Sequence, residues 1–428
     1  MKELDPKTID LFEFLDSSTS PYHATRNVQK RLLSAGFTLL EEETGWDGTP
    51  GGYFFVRDGS IIAWYQDESK LANKGLGIIA SHTDSPNLRL KPAVRGTAAG
   101  LAQFGVEVYG GPLLNSWLDR DLGISGRLVT RNSQSGFEEI LVQINEPLAK
   151  IPQLAIHLNR NVNENGLVVN PHQHLRPIWD DLVSESPNFI DLIATKNQID
   201  PQTILSWDLM LHDVQPASLI GARRQWIASA RIDNLISCYT AVNGFLKAIE
   251  TGSLNWIPMI CLFNHEEVGS TSSAGAGSNL LPSVANRVLG FQGNNKHSDL
   301  IAKSKLISAD GAHATHPNYL EKHDMDHEVR MNEGIVIKRN SNERYATSAI
   351  GQAFIQLLCE SNEIPYQYFS NRSDLACGST IGPIASANLG IQTIDIGIPQ
   401  LSMHSTRELC GIEDVIHLES LMTSFFSS

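Results

Sequence analysis

Several features are scarce in this sequence of 428 residues, and each scarcity excludes a class of protein. The only cysteines stand at positions 238, 261, 359, 377 and 410, with no CxxC pair among them. An odd, scattered set of this kind predicts reduced thiols, not a disulfide framework or a zinc–thiolate site. The longest apolar run, IPMICLF, falls far short of the roughly 20 residues that cross a bilayer. We therefore expect no membrane partner.

Positive charge is also scarce. Lys and Arg number 33 against 47 Asp and Glu, which gives a formal net charge of -14. Nonspecific binding of nucleic acid needs a basic surface, so nucleic acid is not an expected partner. The first residues, MKELDPKTIDLFEFLD, lack the basic end and apolar stretch of a secretory signal. Together with the reduced thiols, this predicts a cytoplasmic protein.

The chain is long enough to need more than one core, and its patterns change along its length. Residues 1–94 and 231–428 carry helix-period stretches and short apolar runs such as LGIIAS, which is typical of a strand covered on both faces. Residues 95–230 alternate apolar and polar residues, as in GVEVYGG, between turn-rich breaks. We predict a discontinuous α/β domain over 1–94 and 231–428, with a central mixed sheet and helices on both faces. A β-rich domain is inserted at 95–230.

Acidic residues and histidines follow immediately after several predicted strands. These residues are His82 and Asp84 after LGIIA, Glu266 and Glu267 after ICLF, Asp310 after LISA and His404 after TIDIGI, with Asp233 at the start of a long helix. Ligands of open α/β sheets bind at the carboxyl ends of strands, so these side chains can share one crevice. A single such His is more often a structural hydrogen-bonding residue, and a Glu pair is more often a solvated turn. Their recurrence favours a metal centre, and a His/Asp/Glu set without Cys suits Zn²⁺.

Two spacings have a specific use in such a site. Residues i and i+2 of an extended chain share a face, so the Asp84 carboxylate can accept from the His82 nitrogen that faces away from the metal. Adjacent side chains diverge in extended backbone. One carboxylate of the Glu266–Glu267 pair can therefore hold metal while the other acts as general base on the attacking water.

Seven motifs together resemble the aspartyl aminopeptidase family of co-catalytic zinc peptidases. They run in order along most of the chain: SHTDSPNLRLKP (81–92), RIDNL (231–235), NHEEVGS (264–270), ADGAHATHPNY (309–319), VIKRNSNERYAT (336–347), CGSTIGP (377–383) and MHSTRE (403–408). No single motif is specific, but the set is.

The resemblance implies a zinc-peptidase-like fold and two Zn²⁺ ions per subunit, for which Co²⁺ or Mn²⁺ can substitute. It implies that His82 and Asp310 hold one ion, that Glu267 and His404 hold the other, and that Asp233 bridges them. It further implies that Asp84 orients His82 and that Glu266 is the general base.

The resemblance also implies an activity, the removal of N-terminal Asp or Glu from peptides. Lys338 and Tyr345 match its substrate-binding positions, and a cation in a poorly solvated pocket favours a carboxylate.

His157, in the insertion, matches a residue that reaches a neighbouring subunit's site, binds substrate and stabilises the oxyanion. The implied assembly is a homo-oligomer, a tetrahedral dodecamer of dimers joined through the inserted domain. Gly311, where relatives often carry a larger residue, departs from the pattern and could loosen the ligand shell.

Three other functions remain open at this point. The same centre could serve an aminopeptidase of broader or neutral specificity. It could also serve an N-acyl amino-acid deacylase or carboxypeptidase, which N-acetylation of the substrate would distinguish. The least favoured is an oligomeric scaffold with a relic site, because Glu266 and all five ligands are present.

Overall fold

The structure is a computed structural model, and it describes residues 4–42, 46, 48–67, 73–93, 96–181, 188–290 and 297–428. The α-helices of this part of the chain are α1 (Pro6–Ser17), α2 (Pro21–Ser34), α3 (Val162–Asn165), α4 (Pro171–His174), α5 (Phe189–Asn197), α6 (Ile232–Thr251), α7 (Leu280–Gly290), α8 (His297–Lys303), α9 (Ala349–Ser361), α10 (Ile381–Leu389) and α11 (Ile412–Phe425). The strands are β1 (Thr38–Leu39), β2 (Gly51–Arg57), β3 (Ser60–Gln66), β4 (Leu76–His82), β5 (Asn87–Leu90), β6 (Gly96–Ala98), β7 (Leu101–Gln103), β8 (Val106–Tyr109), β9 (Leu122–Asn132), β10 (Gly136–Ala149), β11 (Ile178–Asp181), β12 (Ile204–Asp213), β13 (Ser218–Ile220), β14 (Trp226–Ser229), β15 (Ile257–Phe263), β16 (Lys305–Ala309), β17 (Ala312–His313), β18 (Ile335–Arg339), β19 (Tyr366–Ser370), β20 (Gln392–Gly397), β21 (Pro399–Leu401) and β22 (Glu408–Gly411).

The chain divides into two compact units. The first contains Met1–Asp84, Ala217–Met403 and Glu408–Ser428, and the second contains Ser85–Pro216 and His404–Arg407. The sequence prediction placed the insertion at 95–230. The structural unit begins earlier because β5 pairs with β8 and β12, both of which belong to the second unit. It also ends earlier, because β14 pairs with β13 and with β22 of the first unit.

Helices of the first unit begin where local capping chemistry allows. The carboxylate of Asp5 accepts the N–H groups of Lys7 and Thr8 at 3.1 Å, and a proline takes the first helical position of α1. Ser20 caps α2 in the same way. The two caps therefore divide this first part of the chain into two helices.

A nine-stranded mixed sheet forms the centre of the first unit, in the order β1-β2-β3-β15-β4-β16-β20-β18-β19. The central strand β4 pairs in parallel with β15 and with β16. Antiparallel pairs join β3 to β15 and β18 to β20. The predicted mixed α/β sheet is therefore confirmed. Parallel neighbours end at the same edge of the sheet, so β4, β15 and β16 deliver their last residues to one place.

Both faces of this sheet are covered, as the apolar strands predicted. Ile79 of β4 packs in a core with α1, α2, α6 and α11, whereas its neighbours Ile78 and Ala80 pack in a core with α7 and α10. Alternate residues of a strand point to opposite faces, so one apolar run supplies both cores. All seven residues of β4 are buried. A smaller sheet of the same unit has the order β13-β14-β22-β21-β17.

The second unit is rich in β-structure, as predicted for the insertion. Its five-stranded sheet has the order β10-β9-β12-β5-β8, and every pair in it is antiparallel. A three-stranded antiparallel sheet, β11-β7-β6, accompanies it. Its core gathers strand residues with Phe189 and Ile193 of α5. Within the part of the chain that the structure describes, no helix has the length and apolarity to cross a membrane.

Candidate metal centre

The ends of three neighbouring strands carry the predicted ligands of the first unit. His82 is the last residue of β4, and Asp310 directly follows β16. Glu267 lies in a short 3₁₀ turn, Glu266–Val268, after β15. Asp233 lies in the first turn of α6. Because the three strands are parallel neighbours, the sheet brings together side chains that are separated by up to hundreds of residues in the sequence.

The distances around His82 define the cluster. Its Nε2 lies 3.3 Å from Asp233 Oδ1, 3.5 Å from Asp310 Oδ1 and 4.0 Å from Glu266 Oε2. Ligand atoms of His82, Asp233 and Glu267 all lie within 4.8 Å of one another. The structure therefore brings together the four predicted ligands that belong to the first unit, with Glu266 beside them.

These spacings and this donor set fit zinc. Two ligand atoms about 2.1 Å from one tetrahedral ion stand roughly 3.4 Å apart, which is close to the separations of His82 Nε2 from the Asp233 and Asp310 oxygens. The donors are imidazole nitrogen and carboxylate oxygen. The nearby Cys238 is not one of them, because its thiol donates to the His82 carbonyl at 2.9 Å and burial raises its pKa to about 12. Buried carboxylates this close together need a cation to offset their repulsion.

His82 is oriented by Asp84, and by a different atom from the one the sequence predicted. The nearest acceptor for Nδ1 is the backbone carbonyl of Asp84 at 2.9 Å, whereas the Asp84 carboxylate lies at 3.5 Å. A carbonyl only accepts, so Nδ1 carries a proton and Nε2 is the nitrogen that faces the cluster. A metal ion bound at Nε2 would replace the proton that the neighbouring carboxylates hold there.

The Asp84 carboxylate supports the glutamate pair. Its two oxygens accept the backbone N–H groups of Glu266 and Glu267, each at 3.1 Å. His265 follows β15 with φ of 67°, in the left-handed region, and so ends the extended backbone. Glu266 and Glu267 therefore lie in a helical turn. The prediction of extended backbone at these two residues was wrong. The 3₁₀ turn brings both N–H groups to one carboxylate, and an extended chain would point them in opposite directions.

The cluster shifts the pKa of its members. Burial lowers the pKa of His82, but hydrogen bonds to Asp233, Asp310 and Asp84 outweigh this and raise it well above its usual value. Burial raises the pKa of Glu266 to about 8, and the coulombic attraction of His82 opposes that rise. A poorly solvated carboxyl of raised pKa is, once ionised, a stronger base than an ordinary carboxylate.

Two residues that the sequence reasoning did not single out hold Asp233 in place. The Asp233 backbone N–H donates to the Glu408 carboxylate at 2.9 Å. The Asn234 amide donates to Ser81 Oγ at 3.0 Å and to the Ala309 carbonyl at 2.8 Å. These acceptors directly precede His82 and Asp310 in the chain, so Asn234 ties α6 to both ligand strands. Their place in the RIDNL and MHSTRE motifs was the available signal.

Lys338, on β18, is 1% exposed and lies beside the cluster. Its ammonium donates to the carbonyls of Asp310 at 3.2 Å and Gly311 at 3.0 Å, and stands 4.0 Å from Asp310 Oδ2. The Tyr345 ring centroid lies 5.1 Å from the same ammonium, within cation–π range. Burial, and then the neighbouring Cys377, raise the pKa of Tyr345.

Gly311 contributes through its backbone. Its carbonyl is one of the two that accept from Lys338. A Cβ at this position would come within 3.0 Å of the Gln400 side chain, so a larger residue would require Gln400 to move.

The remaining two predicted site residues belong to the second unit. His404 has φ of 68°, and its Nδ1 lies 3.0 Å from the Gly111 carbonyl, so Nε2 is the nitrogen that would face a metal ion. His157 is exposed in the 3₁₀ turn Ile156–Leu158. Neither residue belongs to the cluster of the first unit described above.

Comparison with known families gives one match over nearly the whole chain. Residues 14–426 match the family described as Aminopeptidase I zinc metalloprotease (M18). Two similar curated proteins are both called probable M18 family aminopeptidase 2. The one from Streptomyces coelicolor is 42% identical over 424 residues, which cover 98% of this chain and 97% of the relative. The one from Mycobacterium leprae is 41% identical over 423 residues, which cover 98% of each chain.

Solved structures give the same result for the fold. The chain superposes on a chain of the cryo-EM structure of the Ape4 and Nbr1 complex with a TM-score of 0.94 and 36% identity, covering 98% of this chain and 85% of that one. It superposes on the S. cerevisiae mApe1 dodecamer with a TM-score of 0.85 and 28% identity, covering 98% and 96%. The predicted zinc-peptidase-like fold is therefore confirmed.

Proposed function

The chain belongs to the M18 family of aminopeptidase I zinc metalloproteases, and we propose that it removes N-terminal Asp or Glu from peptides with a pair of zinc ions. The observation that carries this proposal is the buried ammonium of Lys338 directly behind the ligand cluster, 4.0 Å from Asp310 Oδ2. Zinc-dependent peptide hydrolysis requires only the ligand cluster. A cation beside the cluster would in addition favour substrates whose N-terminal side chain is a carboxylate.

The proposed ligands follow the cluster and the family resemblance. His82 and Asp310 would hold one ion, Asp233 would bridge, and Glu267 with His404 would hold the second. The 3.5 Å between His82 Nε2 and Asp310 Oδ1 supports the first assignment, and the grouping of His82, Asp233 and Glu267 supports the bridge. His404 rests on the resemblance. When bound, the zinc ions would polarise the scissile carbonyl and lower the pKa of the attacking water.

Glu266 is the proposed general base. Its side chain is 15% exposed and its Oε2 lies 4.0 Å from His82 Nε2, at the rim of the cluster. The carboxylate takes a proton from the attacking water as the new C–O bond forms. It then gives that proton to the leaving amine as the C–N bond breaks. Asp84 holds the base in place through the backbone N–H of Glu266.

Lys338 and Tyr345 are the proposed substrate-binding pair. Among the described residues, two backbone carbonyls accept from the Lys338 ammonium, so one of its three N–H donors remains for a substrate carboxylate. In a poorly solvated position this contact would be charge-assisted on both sides. The Tyr345 ring covers the same ammonium and limits its access to water.

The proposed assembly is a homo-oligomer, with a tetrahedral dodecamer of dimers as its expected form. One similar structure is itself a dodecamer. The segment around His157 exposes large apolar side chains, including Leu158 at 75% and Val168 at 83%. Apolar exposure of this extent supports burial against another subunit, with His157 binding substrate and stabilising the oxyanion in the partner's site. The five free cysteines support a cytoplasmic location.

The proposal is tested by comparing kcat/KM for Asp-, Glu- and Leu-peptides of the same length, with protein loaded with Zn²⁺, Co²⁺ or Mn²⁺ in turn. We expect the acidic substrates to be preferred and N-acetylated peptides to be inert. Equal rates on Leu-peptides would replace acidic specificity by a broader one. A requirement for the acyl group would establish a deacylase instead. Absence of activity with every ion would remove the enzymatic assignment.

A further inference from the structure

Behind the proposed pocket formed by Lys338 and Tyr345 lies a buried carboxylate that has no part in the mechanism above. Asp395 lies in the middle of β20, in the apolar run TIDIGI, and is fully buried. A charged residue at such a position is rare unless it is paired or hydrogen-bonded. Its partners therefore indicate why it is there.

Asp395 holds the chain immediately after Tyr345. Its Oδ2 accepts the backbone N–H of Ala346 at 2.6 Å. Its own backbone N–H donates to the Thr347 hydroxyl at 2.8 Å. Two hydrogen bonds, one through the side chain and one through the backbone, fix residues 346–347 against β20.

The other oxygen of the same carboxylate holds a second segment. Asp395 Oδ1 accepts from the Thr380 hydroxyl at 2.6 Å, and Thr380 caps the N-terminus of α10 by accepting from the Gly382 N–H at 3.2 Å. A Cβ on Gly382 would lie 2.3 Å from Asp395 Oδ2, so the backbone of the helix packs directly against the carboxylate. A helix N-terminus favours a negative charge at this place.

The two segments meet at the proposed pocket. The Tyr345 ring stands over the Lys338 ammonium, and Cys377, three residues before Thr380, is the neighbour of the Tyr345 hydroxyl. Asp395 therefore anchors both the residue after Tyr345 and the loop beside it. Burial raises the pKa of Asp395, and the positive charge of Lys338 opposes that rise.

We infer that Asp395 is a positioning residue for acidic specificity, which fixes Tyr345 and the Cys377–Thr380 loop around Lys338 so that the ammonium meets the side-chain carboxylate of the substrate. This inference rests on the proposed function. It assigns Asp395 no contact with the substrate and no role in proton transfer. The two oxygens act as acceptors for two segments that would otherwise be free to separate.

The test measures kcat and KM for an Asp-peptide and a Leu-peptide with the zinc-loaded oligomer. For Asp395→Ala we expect the Asp-over-Leu ratio of kcat/KM to fall about tenfold, the equivalent of one charge-assisted hydrogen bond, through a raised KM for the Asp-peptide. Zinc content should stay at the wild-type value. Asp395→Asn should restore most of the ratio, because its amide oxygen can accept from Ala346 while its NH₂ donates to Thr380.

Asp414 supplies the matched control. It is a fully buried carboxylate of the same unit that accepts backbone N–H groups, those of Asn332 and Gly334. Asp414→Ala should leave the Asp-over-Leu ratio unchanged. An equal fall in this variant would overturn the inference, since the loss of any buried carboxylate would then have the same effect.

Two further results separate this inference from the proposed function. A wild-type enzyme that prefers Asp-peptides, with Asp395→Ala keeping that preference, would overturn the role of Asp395 alone. A wild-type enzyme without acidic preference would overturn both. If Asp395→Ala does not fold, Thr380→Val, which keeps the carboxylate and removes one of its partners, should lower the ratio about threefold. An unchanged ratio there would again count against the inference.

Discussion

Replacing Asp84 with Asn should damage the glutamate turn and leave His82 oriented. Each Asp84 oxygen accepts one backbone N–H, from Glu266 and from Glu267. Asn has a single amide oxygen, so one of the two N–H groups would face an NH₂ group instead. The backbone carbonyl that accepts from His82 Nδ1 at 2.9 Å is unchanged by the substitution.

The size of the effect follows from the contacts. The loss of one buried hydrogen bond to a charged acceptor costs about 1.5–3 kcal/mol, which corresponds to roughly 10- to 100-fold in an equilibrium or a rate. Loss of an outer partner of a metal site typically costs the same factor in metal affinity or activity. We expect kcat to fall by about this factor, because Glu266 loses its alignment. We also expect the affinity for the zinc ion held by Glu267 to fall, and the affinity for the other zinc ion to stay the same.

The assay combines steady-state kinetics with zinc titration against a chromophoric chelator. Asp414→Asn, a matched buried carboxylate, should bind zinc as the wild type does. If Asp84→Asn retained wild-type turnover and both zinc affinities, the carboxylate would have no role in supporting the turn. If both binding steps weakened equally, Asp84 would act through the His82 side chain, as the sequence spacing had suggested.

Three other predictions concern the base, the pocket and the stability of the fold. Glu266→Gln should keep both zinc ions by elemental analysis and lower kcat by about 10²- to 10⁴-fold, and a collapse of metal content would reverse the assignment of the glutamate pair. Lys338→Met should lower kcat/KM for Asp-peptides at least tenfold more than for Leu-peptides, and equal losses would remove Lys338 from the pocket. Burial raises the pKa of Asp414 from 3.8 to about 7, so between these pH values the folded chain binds more protons than the unfolded chain. The contribution of this carboxyl to the free energy of unfolding is therefore greatest at low pH and is lost as pH rises through about 7. Asp414→Asn should flatten this part of the pH profile of thermal denaturation, and an unchanged slope would contradict the shift.

The fold and the grouping of the predicted ligands could be predicted because both follow from patterns of neighbouring residues in the sequence. The apolar run of β4 indicated a strand covered on both faces, and all of it is buried. The acidic and imidazole residues that follow β4, β15 and β16 indicated a shared crevice, because parallel strands end at the same edge. The adjacency of these three strands in the sheet is enough to bring His82, Asp310 and Glu267 together.

What escaped prediction depends on backbone conformation and on contacts between distant residues. The left-handed conformation of His265 decides that Glu266 and Glu267 form a turn, and no residue pattern indicated it. The start of the second unit at Ser85 depends on the pairing of β5 with strands far along the chain. An Asp inside the apolar run TIDIGI was visible in the sequence, but only its contacts with Ala346 and Thr380 give it a role.

We propose that the cluster around His82 holds two zinc ions beside Glu266. Anomalous diffraction at the zinc edge, from crystals of the zinc-loaded protein, would locate each ion. We expect two peaks, one within about 2.0–2.2 Å of both His82 Nε2 and an Asp310 oxygen, and one at the same range from a Glu267 oxygen, with Asp233 contacting both. A single peak, or two peaks that leave Asp233 without contact to either ion, would contradict the dinuclear centre.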